Sequence, residues 1–102
     1  MEISEIRIVE KLMELDYTER SAKALSERLI KSDIIREPLM CWLETGEETD
    51  CFYEEISAFA LMRERRFQYP NALNVIDWLH RDPQAARQAL SRGVDRIIRR
   101  KE

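Results

Sequence analysis

Apolar residues recur every three to four positions along almost the whole chain, and little interrupts them: 102 residues hold two glycines and three prolines. A repeat of that length places the apolar side chains on one stripe of an α-helix, whereas a half-buried strand needs strict alternation. Ile3, Ile6, Val9, Leu12 and Met13 mark a first helix over residues 3–15. Asp16, followed three places later by Glu19, has the form of a capping box. Ala22, Leu25 and Leu29 then form the stripe of a second helix ending near residue 31. Ser32 and Asp33 break the pattern. Pro38 deep inside a helix would remove a hydrogen bond and clash with the preceding turn, so the third helix is kinked or begins near Glu37. Leu39, Met40, Trp42 and Leu43 are its apolar body, and Gly46 is placed to cap its end.

Residues 47–55 read as an acidic connector interrupted by Cys51, Phe52 and Tyr53; a short strand there would have no evident partner. A fourth helix, starting at residue 54 or 57 and reaching 66, carries Ile56, Phe59, Ala60 and Met62 or Arg63 at helical spacing. Pro70 fits the first turn of a fifth helix ending near residue 81, where its missing N–H costs nothing, and Ala72, Val75, Ile76 and Leu79 form its stripe. Asp82 before Pro83 repeats that start, and Ala86, Ala89, Leu90, Gly93, Val94 and Ile97 extend a sixth stripe to about residue 99. The expectation is an all-α fold, a single compact bundle of five or six short amphipathic helices, with residues 1–102 as one domain because no connector is long enough to divide it. The Trp-Leu pairs at 42–43 and 78–79 do not extend into a repeat, since their surroundings differ.

Composition narrows the functional classes. The chain is 44% hydrophobic and 36% charged, enough to build a core without metal or disulfide staples. No apolar stretch approaches the roughly 18–20 residues that cross a bilayer, and the start Met1-Glu2-Ile3-Ser4-Glu5 lacks the pattern of a secretory signal, so a soluble cytoplasmic protein is expected, with no membrane partner. Cys41, Cys51 and His80 are the only cysteines and histidine, and their spacing is not that of a zinc site. In a cytoplasmic chain the two cysteines are reduced thiols rather than a loop-closing disulfide. No cofactor is expected. His80, flanked by Asp77 and Asp82, is the one candidate general base, but no nucleophile-presenting turn accompanies it, and no enzyme is expected.

The net charge of −3 hides an asymmetry. Residues 1–55 carry 15 Asp/Glu against 7 Lys/Arg, whereas residues 56–102 carry 5 against 10, nearly all arginine. Such halves can meet a charged partner, a second copy, or each other. Arg92, Arg96, Arg99 and Arg100 fall at i, i+4, i+7 and i+8 on the face of the last helix away from its apolar stripe. They could follow a phosphate backbone, which makes nucleic-acid binding the alternative function; they also complement a helix C-terminus. A helix-turn-helix over residues 21–46 fits badly: Ile30 sits in the turn, Pro38 in the second helix, the interval from Leu29 to Trp42 is too long, and Asp33, Glu37 and Glu44 are acidic. The expected function is therefore non-enzymatic: a small interaction or regulatory protein working through charge-complementary protein contacts, including self-association to a homo-oligomer. Trp42, Phe52, Tyr53, Tyr69 and Trp78 are its candidate aromatic anchors, competing with the need of a small core for large side chains.

Overall fold

The computed structural model describes residues 4–92. Its helices begin and end where backbone groups find partners. α1 (Glu5–Glu14) stops at a Schellman turn: the amide of Asp16 donates to Met13 O at 3.1 Å and that of Tyr17 to Leu12 O at 3.2 Å, with Asp16 in the left-handed region at φ 72°. This corrects the capping-box expectation. Asp16 closes α1, and Thr18 opens α2 (Glu19–Ile30), its side chain accepting from the amide of Ser21 at 3.1 Å. α3 (Arg36–Thr45) starts early enough to hold Pro38 in its first turn, where the lost N–H has no intrahelical acceptor, and it ends on Gly46 at φ 78°.

The connector contains a strand, and the strand has a partner. β1 (Phe52–Tyr53) pairs antiparallel with β2 (Ile56–Ser57), Phe52 opposite Ser57 and Tyr53 opposite Ile56. The fourth helix is therefore shorter than its stripe suggests: α4 (Ala58–Arg65) begins only after the hairpin, capped by Ser57 accepting from the amide of Ala60 at 2.9 Å. α5 (Tyr69–Arg81) and α6 (Pro83–Ser91) start on their prolines as expected, and Asp82 accepts from the amide of Ala85 at 3.3 Å. The expected extension of α6 through Gly93, Val94 and Ile97 lies outside the described residues.

α5 is the axis of the molecule. α2, α4, α6 and β1 pack against it, α1 packs on α2, and α3 bridges α1 and α2. Its expected stripe of Ala72, Val75, Ile76 and Leu79 is buried, and so are Tyr69, Leu73, Asn71, Asn74 and Asp77 on its other faces. Each large aliphatic side chain removed from water contributes roughly 1.5–3 kcal/mol, so Leu12, Leu25, Leu29, Leu39, Leu73 and Leu79 fix which helices touch. Polar contacts also tie α5 to α1–α3 and their connectors: the Tyr17 hydroxyl donates to Asn71 Oδ1, and Asp77 accepts from Ser32 Oγ at 2.6 Å as well as from Arg81 Nε within α5 at 2.8 Å. The Cα radius of gyration, 12.6 Å, is that of a compact globule of this length. The result is an all-α bundle of six helices with one small hairpin among the described residues, none of whose helices is long and apolar enough to cross a membrane.

Candidate protein-interaction surface

Two expected anchors lie in the core. Trp42 is 4% exposed and Tyr69 1%; their rings meet at 6.0 Å, tilted by 58°, and Lys11 covers Trp42 at 5.6 Å. The Tyr69 hydroxyl donates to Thr49 O at 2.7 Å and accepts from the Thr49 amide at 3.2 Å. Burial is the main reason this phenol titrates above its ordinary value. Tyr69 thus pins the acidic connector to α5 and offers no ring to a partner. Trp78 is half-buried. Arg92 is exposed, with Gln88 Oε1 at 3.3 Å; Arg96, Arg99 and Arg100 lie outside the described residues.

The aromatic side chain most open to contact is Phe52, 59% exposed, on the hairpin. Side chains alternate across a strand pair, so the register assigns each residue a face. Beyond the strands the Ala58 amide donates to Cys51 O at 2.8 Å, and the Phe59 amide, in the first turn of α4, donates to the Asp50 side chain at Oδ1, 3.0 Å away. Cys51, Tyr53 and Ile56 therefore face inward, and Phe52 and Ser57 face outward. Cys51, Tyr53 and Ile56 are partly buried and Phe52 is exposed, while Ser57, whose side chain caps α4, is partly buried as well; in α4 itself Ala58 is fully buried and Phe59 is 36% exposed. Phe59, which the helical spacing assigned to an apolar stripe, is instead exposed in the first turn of α4.

The inward face shows the two charged halves meeting. The Arg87 guanidinium lies 5.6 Å from the Tyr53 ring centroid, with Nη2 on Glu54 Oε1 at 2.7 Å and Nη1 on Glu55 Oε2 at 3.2 Å. Glu55 titrates below its ordinary value, chiefly through its own backbone amide and then through Arg87, while the hydrogen bond to Glu55 raises Arg87. His80 completes this side: its ring meets Tyr53 edge-on at 4.9 Å and Nε2 lies 3.2 Å from Phe52 O. The candidate base is thus occupied in holding the hairpin. Burial, with the Asp50 carboxylate second, pushes the Cys51 thiol up to about 11.

Outside this pairing one stretch of the chain stays acidic. Residues 37–62 contain seven carboxylates and no lysine or arginine, and no cation among the described residues pairs with Glu44, Glu47 or Glu48. Two open clefts complete the surface, about 560 Å³ beside Arg28, Lys31 and Arg81 and about 520 Å³ over Ile56, Leu61 and Leu90. Among the described residues no group of three His, Cys, Asp or Glu side chains could hold a metal ion. Comparison with protein-family models, with curated proteins and with solved structures gives no match.

Proposed function

We propose that the chain is a non-enzymatic interaction protein that works through protein contacts of complementary charge, with self-association as its specific form. The observation that carries this reading is the exposed Phe52 beside an acidic run without a single cation. An aromatic anchor with a charged rim is the usual anatomy of a protein contact. The arginine-rich end of the sequence, Arg92, Arg96, Arg99 and Arg100, has the complementary sign, so a second copy is a chemically matched partner. A cytoplasmic setting and the lack of a membrane partner belong to the same proposal, supported by two free cysteines, Cys41 and Cys51.

Sedimentation velocity of the whole chain tests it. Self-association is expected at about 0.05 M salt and should weaken towards 0.5 M as the charges are screened. A single monomeric species at every salt and protein concentration would contradict the proposal.

A further inference from the structure

We propose that the cleft between the end of α2 and the end of α5 is a binding site for a small phosphate monoester. The site is independent of the protein-contact reading. Ala24, Glu27 and Arg28 of α2 and its C-cap Lys31 fall at i, i+3, i+4 and i+7, so one helix face supplies one side of the cleft. The connector from Ser32 to Ile34 and, on α5, Asp77 and Arg81 supply the rest. Its volume of about 560 Å³ is that of small-molecule sites. Three exposed cations, Arg28, Lys31 and Arg81, share this one space.

Cations near the carbonyl ends of α2 and α5 offset the helix dipoles and by themselves require no ligand. The buried carboxylate that lines the same cleft is the second observation. Asp77 is 2% exposed, an expensive place for a charge, and it takes Arg81 by Nε at 2.8 Å and Ser32 Oγ at 2.6 Å. Gripped at Nε, Arg81 keeps both Nη groups without a hydrogen-bond partner among the described residues, and its side chain stays 58% exposed. A guanidinium held at one end and open at the other is an oriented, two-pronged donor for an oxyanion. Arg28 and Lys31 likewise form no ion pair with a described carboxylate: Glu27 makes none with Lys31 despite the four-residue spacing, and Asp33 is drawn to Arg36 at 3.5 Å. A phosphate monoester brings roughly two negative charges and three acceptor oxygens, enough to use a forked arginine and two further cations, whereas a single carboxylate leaves cations idle. Ala24 and the 44% exposed Ile34 offer apolar contact to the carbon end of the ester. Glu27 and Asp33 on the same lining oppose a run of phosphates, so a nucleic-acid backbone fits worse than a lone phosphate.

Glycerol 3-phosphate is the probe, titrated into the isotope-labelled whole protein at about 0.05 M sodium chloride and followed by amide NMR. Saturable shifts are expected at the amides of residues 27–34 and 77–82. Inorganic phosphate, which lacks a carbon end, should shift the same amides and saturate at higher concentration. Arg28→Gln combined with Lys31→Gln changes only exposed side chains and should weaken binding about fivefold or more; Arg81→Lys, which keeps the charge and removes the fork, should do the same. Circular dichroism confirms that each variant is folded. Shifts that never saturate, shifts that sodium chloride reproduces at the same ionic strength, or unchanged affinity in either folded variant would overturn the proposal. Inorganic phosphate binding as tightly as the ester, or a short DNA duplex binding the same amides more tightly, would overturn the assignment of the ligand.

Discussion

Asp77 is a carboxylate on the most buried helix, and its two partners are what make that tolerable. Ser32 Oγ and Arg81 Nε each satisfy one of its oxygens, and the Ser32 hydroxyl in turn caps the amide of Ile35 at 3.3 Å. Asp77→Ala would strand a buried hydroxyl and loosen the turn that connects α2 to α3, at a cost of about 2–3 kcal/mol. Urea unfolding monitored by tryptophan fluorescence measures it, and a loss below about 0.5 kcal/mol would show that the contact is incidental. Cys51 makes a second prediction. With its thiol raised to about 11, alkylation in a Cys41→Ser background should keep accelerating with pH up to that value; a plateau near pH 9 would contradict the burial assigned to it. The same shift bears on stability. A thiol raised in the folded state stabilises it fully below the unfolded value of 9.0, and that contribution is lost as pH climbs towards 11; the raised Tyr69 phenol acts in the same direction.

At the scale of elements, the boundaries depend on single backbone choices. Asp16 occupies the left-handed position of the α1 Schellman turn, where a side chain is unfavourable by about 1 kcal/mol. Asp16→Gly relieves that at the expense of some unfolded-chain freedom and should stabilise by about 0.5 kcal/mol, whereas Thr18→Ala, which removes the α2 cap, should destabilise by about 1 kcal/mol. Thermal unfolding of the two variants should therefore move in opposite directions; a capping box on Asp16 would instead make Asp16→Gly destabilising and leave Thr18→Ala near neutral, since Thr18 would then lie inside the helix. These cases show why some elements were legible in the sequence and others not. Pro70 and Asp82-Pro83 constrain the backbone by their own covalent structure, so the starts of α5 and α6 were readable within a residue. The hairpin was not, because Glu54 and Glu55 form its two-residue loop and Glu54 takes φ 52°, a place where glycine or asparagine normally announces the turn. Arg87 holds both loop carboxylates, and that contact joins residues more than thirty positions apart, which no local pattern reveals. The all-round burial of α5 was hidden for a similar reason. Asn71 and Asp77 look like a wet face until Tyr17 and Ser32 are seen to meet them.

For the whole molecule, the sequence shows the charge asymmetry, and among the described residues Arg87 alone joins the two halves by ion pairs. Glu44, Glu47 and Glu48 of the acidic half are exposed, and so are Arg63, Arg66 and Arg92 of the arginine-rich half. The anchors followed a different logic. Trp42 and Tyr69 were drawn inside by their size, while Phe52 was left outside by strand register and Phe59 in the first turn of α4, so the exposed rings are those with the weakest sequence signal. What unites these facts is the claim that the acidic hairpin surface of one copy meets the arginine-rich end of another. A charge-exchange experiment tests it most directly. Glu47→Arg with Glu48→Arg in one protein, and Arg96→Glu, Arg99→Glu and Arg100→Glu in a second, should each abolish self-association when alone. Mixed at equal concentration and about 0.05 M salt, the two proteins should form a heterodimer in sedimentation velocity, because the reversed hairpin of the first now matches the reversed end of the second. A mixture that stays monomeric, or single variants that associate as the parent does, would contradict the account.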